Sequence, residues 1–75
     1  MNTKVSIFGF VKFINLSGGF WGIVDIEGKN WFPLNLPEHL KKEGLTLRID
    51  AQRVEDFYSI HMLGTPIQIN GFFIL

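Results

Sequence analysis

His39 and His61 are the only imidazoles in the chain and stand far apart in it. His61-Met62 is a soft donor pair of the kind that suits Cu(I). Met62 is the only methionine besides Met1, so a His/Met ligand set is incomplete and no metal is expected. Asp25 and Glu27 share strand parity and could form an acid/base pair, but they flank a turn and read more simply as solvent-facing. Asp50, Glu55 and Asp56 read the same way. Ser6, Ser17 and Ser59 lack a nucleophile motif, and Gly18-Gly19 lacks the helix and lysine spacing of a phosphate loop. Cysteine is absent, which removes disulfides, thiolate metal sites and thiol catalysis together. No catalytic residue and no cofactor is expected. The chemistry left belongs to flat rings: eight Phe, two Trp and one Tyr, which can stack on bases or fill a small core.

Those rings need a scaffold, and 75 residues allow one domain, residues 1–75. Hydrophobic residues are 47% and charged ones 19%, so a packed globule is expected. Seven basic and seven acidic side chains cancel, which removes long-range attraction for phosphate backbones. Nucleic-acid binding would have to rest on local stacking. The start of the chain has no apolar run with a small-residue cleavage site, so no signal peptide is expected. Phe72-Phe73-Ile74-Leu75, the longest apolar stretch, is far too short to span a bilayer. Cytoplasm is the default location.

Residues 4–14 are rich in β-formers with apolar groups on both parities, and Gly9 sits where a strand could bend. Asn15-Leu16-Ser17-Gly18-Gly19 is turn chemistry. Residues 20–26 read as a second strand, residues 27–30 as a hairpin turn and residues 31–34 as a short third strand. Pro33 cannot donate to a ladder, so this strand lies at an edge or ends there. Leu36 to Gly44 carries the only helical signal, with Pro37 in the first turn and Gly44 as the stop, at most two turns long. Leu45, Leu47, Ile49 and Ala51 then alternate inward. A final strand is expected through Tyr58, Ile60, Met62, Ile67 and Ile69. Strands this long in so small a chain leave open edges unless the sheet closes. The expectation is an all-β, five-stranded OB-type barrel with one short helix between strands three and four. A two-layer α+β sheet is the competing arrangement.

Gly9-Phe10-Val11-Lys12-Phe13-Ile14-Asn15 resembles the first-strand pattern of cold-shock domains, a glycine and one residue before V-K-W-F-N. Gly19-Phe20-Trp21-Gly22-Ile23-Val24 is similar to their K-G-F-G-F-I segment with one extra residue, Trp31-Phe32-Pro33-Leu34 falls at V-F-V-H, and Glu43 to Ile49 resembles the opening of their fourth strand. Ser17 to Ile23, Pro33 to Pro37 and Ser59 to Pro66 also resemble a small family of OB-like proteins without an assigned activity. The cold-shock resemblance implies single-stranded nucleic-acid binding by exposed aromatics on strands one to three. Phe13 takes the place of the Trp, Trp21 and Ile23 those of the two Phe, and Phe32 that of the central Phe of V-F-V-H. Ile14 and Leu34 stand where the family has Phe and His.

The expected function is a non-catalytic binding module for single-stranded RNA or DNA, with stacking on Phe13, Trp21 and Phe32 and help from Lys12 and Lys29. The alternative is a protein-interaction or structural module. Its apolar C-terminal tail would dock a partner or a second copy, either across the barrel opening or as an intermolecular strand.

Overall fold

A computed structural model describes residues 3–16, 18–54 and 64–75. The chain forms strands β1 (Lys4–Ile14), β2 (Phe20–Asp25), β3 (Asn30–Pro33), β4 (Thr46–Arg53) and β5 (Thr65–Ile74), with one 3-10 turn, Glu38–Leu40, between β3 and β4. The strands close in the order β1-β2-β3-β5-β4, so the molecule is an OB-like β-barrel and not a two-layer α+β sheet.

Closure rests on the length of β1. Its first half pairs with β4, from Lys4↔Gln52 to Phe10↔Thr46, and its second half with β2, from Gly9↔Asp25 to Ile14↔Phe20. One strand serves two neighbours by coiling at Gly9. A Cβ there would lie 2.2 Å from the Val24 carbonyl oxygen, so only glycine lets the strands cross this closely. The barrel shuts where β3 meets β5 in parallel, Trp31↔Thr65 to Pro33↔Ile67. β3 ends at Pro33, and Asn35 then continues its work with a side chain. Asn35 Nδ2 donates to the Ile69 carbonyl at 3.1 Å and Oδ1 accepts from the Ile69 N–H at 2.7 Å. The core is Ile7, Val11, Ile23, Trp31, Leu40, Leu47, Ile49, Ala51, Ile67 and Ile69; of the four residues that alternation turns inward between 45 and 51, Leu47, Ile49 and Ala51 belong to it and Leu45 packs against it.

The short helical element expected between strands three and four is present, and the last strand reaches further than expected. The helix is a single 3-10 turn, because Pro37 offers no side-chain cap and the following residues must deliver Leu40, fully buried, into the core. The last strand begins at Thr65 and takes in the apolar tail as far as Ile74. Phe72 and Phe73 pair with Ile49 and Arg48, so the tail is the end of a barrel strand and not a separate cover over the opening. Pro66 is tolerated because it stands at the second position of β5. Tyr58, Ile60 and Met62, expected in this strand, lie outside the described residues, as do Glu55, Asp56, Ser59 and His61.

Candidate nucleic-acid interface

The start of β2 and the end of β3 lie side by side and bring aromatic residues together. Phe20, Trp21 and Phe32, with Pro33, Leu34, Leu36, Gly19 and Lys41, line an open groove of about 300 Å³. Phe20 and Phe32 meet edge to face, centroids 5.0 Å apart and planes at 90°. Phe13 stands opposite Trp21 across the β1–β2 ladder and meets it edge-on at 5.2 Å. Such pairs hold ring orientations beyond what burial supplies.

The turn between β1 and β2 holds Phe13 in place. Gly19 has φ 92°, and a Cβ on it would lie 2.5 Å from Phe13 Cζ, so the ring rests over bare backbone. The Phe13 N–H donates to Glu43 Oε1 at 2.8 Å, which ties the end of β1 to the segment before β4. The ring is still 43% exposed. Trp21 is half-buried and packs on the core with its inner side.

The cations fall differently. Lys12 is exposed on β1 opposite Gly22. Lys29 sits at the β2–β3 turn, at the opposite end of these strands from the groove, with its ammonium 4.4 Å from the Trp31 ring centroid. The cation lining the groove is Lys41, paired with Glu38 at 2.8 Å. Ile23 is fully buried in the core, and Phe20 presents a ring beside Phe32 instead. Phe20 and Lys41 escape a reading by motif. In a Phe20-Trp21 pair either parity gives an aromatic, and only the strand register decides which ring meets Phe32.

Asp25 is not the simple solvent-facing group its position suggests. Its Oδ1 accepts from the Glu27 and Lys29 N–H groups, both at 2.9 Å, and its Oδ2 accepts from the Trp31 indole Nε1 at 2.9 Å. The indole bond, the largest influence, holds its carboxyl below the ordinary value of 3.8; desolvation opposes it, and the Lys29 and Glu27 backbone donors and the Lys29 charge add to the lowering. A carboxylate so saturated with donors is a turn cap and not a poised acid. Among the described residues no three His, Cys, Asp or Glu side chains gather as a metal site, and no helix is long and apolar enough to cross a membrane. The groove therefore offers flat apolar faces and one ammonium. No family model, curated protein or solved structure matches this chain.

Proposed function

We propose that this chain is a non-catalytic binding module that holds a short single strand of RNA or DNA, in the manner of the cold-shock domains its first strand resembles. One observation carries the reading: Phe20, Trp21 and Phe32 share one groove on an OB-like barrel, and Phe13 adjoins it through Trp21. Each stacked base contributes about 1–3 kcal/mol whatever its identity, so two or three bases suffice for weak, sequence-tolerant binding. Lys12 and Lys41 meet phosphates at the rim, whereas Lys29 supports the barrel end through Trp31. The reading keeps Phe13, Trp21 and Phe32 as the stacking rings and adds Phe20 to them.

Titrating a short oligonucleotide should quench tryptophan fluorescence. With only one or two phosphates met, log K should fall with log salt at a slope of about −0.7 to −1.4. Trp21→Ala, with its fold checked by circular dichroism, should weaken binding about tenfold or more. A folded Trp21→Ala protein that binds as tightly as wild type removes this site.

A further inference from the structure

The outer face of β1, β4 and β5 carries Phe8, Phe10 and Phe73, with Leu75 just beyond β5 and Ile26 just beyond β2, where the Ile26 N–H donates to the Phe8 carbonyl; Ile26 is 83% and Phe73 62% exposed. The registers arrange it in two adjacent rows. One is Phe8–Arg48–Phe73, large and cationic at its centre; the next is Ser6–Asp50–Gly71, small and anionic at its centre. A two-fold axis lying in this face, perpendicular to β4 and passing between the rows, sets each row against the other row of the second copy. Phe73 then meets the flat backbone of Gly71, Phe8 meets Ser6, and Arg48 meets Asp50, twice over. The face is complementary to itself in both shape and charge, which is what an isologous contact requires.

We infer that a second copy of this chain docks here, β4 over β4, to form a symmetric dimer. The five exposed apolar side chains offer on the order of 500 Å², at the upper end of a monomer's largest patch and over half of the ~800 Å² each partner gives a standard interface. Polar rim residues supply the remainder. Zero net charge leaves no overall repulsion between copies. Arg48 and Asp50 lie 3.7 Å apart within one chain and are each about half exposed, so both stay available to a partner.

Sedimentation equilibrium from micromolar to near-millimolar protein tests the inference. The wild type should pass from monomer to dimer. Arg48→Asp and Asp50→Arg, each folded by circular dichroism, should stay monomeric alone and associate when mixed, because one then presents only acids and the other only bases. Gly71→Val adds a group into open space in the monomer but fills the seat of the partner's ring, so it should fold and abolish the dimer. A wild type that is monomeric throughout overturns the inference. So does a dimer that Gly71→Val or the single charge reversals leave intact, or a mixture of the two that fails to associate.

Discussion

Asp25 shows how much one side chain holds together. It closes the β2–β3 turn through two backbone donors and fixes the plane of Trp31, a core residue, through a third. Asparagine keeps the turn, since its amide oxygen accepts from the same two N–H groups, but it sets an NH2 against the indole N–H. Asp25→Asn should therefore cost about 1 kcal/mol in denaturant melts, the penalty of stranding a part-buried donor. The carboxyl titrates below 3.8 in the folded chain and near it when unfolded. Its stabilisation is complete above the unfolded value and is lost as pH falls through the folded one. Wild-type and Asp25→Asn stabilities should accordingly converge as the pH is lowered below about 4; a gap that stays constant down to pH 2 would mean that the ionised form does not matter. The sequence shows Asp25 beside a turn but hides its partner. Nothing in residue spacing says that a tryptophan six positions on turns its ring edge back.

At the scale of elements, alternation is the legible signal. It places Leu47, Ile49 and Ala51 inside and bounds the first four strands to within a residue or two, because one wrong step of a period-two pattern would expose a whole row; β1, apolar on both parities, hides that Ile7 and Val11 are its inward side. Two elements are not so bounded. The segment from Leu36 to Gly44 has helical punctuation yet is too short to profit from it, since nucleating a turn fixes several residues for one bond. The 3-10 turn ends at Leu40 once that side chain reaches the core. The last strand holds Ile67 and Ile69 as expected but runs on to Ile74, because Gly71, Phe72, Phe73 and Ile74 have partners in β4 that no local pattern reveals. The crossing of β1 over β2 depends on Gly9. Gly9→Ala cannot keep the β1–β2 crossing, because its Cβ would meet backbone that has nowhere to retreat. A loss of about 1–3 kcal/mol or more is expected from overpacking, with a matching fall in Tm. Gly28→Ala is a useful contrast. It meets nothing within 4 Å and pays only for its φ of 84° in an exposed turn. Equal melting temperatures for the two would deny that the crossing is tight.

For the whole molecule the question is what keeps so small a barrel closed without disulfides. A domain of this size holds about 4–11 kcal/mol of net stability. β4 and β5 share the longest antiparallel ladder besides β1–β4, running from Arg53↔Ile67 to Leu47↔Ile74. Cutting the chain after Asn70 removes the pairs of Leu47, Arg48, Ile49 and Asp50 together with Phe72, which packs on the core and meets the His39 ring at 5.6 Å. Phe72, partly buried, alone contributes about 1–2 kcal/mol of burial, and β4 would be left with an open apolar edge. The loss is comparable to the entire stability, so the truncated chain should be unfolded at room temperature by circular dichroism. Side-chain direction separates this from mere stickiness. Phe72 turns to the core and Phe73 to solvent, so at concentrations too low for association Phe72→Ala should lower stability by about 1–2 kcal/mol, whereas Phe73→Ser should stay within about 0.5 kcal/mol of wild type. If Phe73→Ser proves the costlier change, the parity of β5 is the reverse of that described, and the two-row face built on it goes with it.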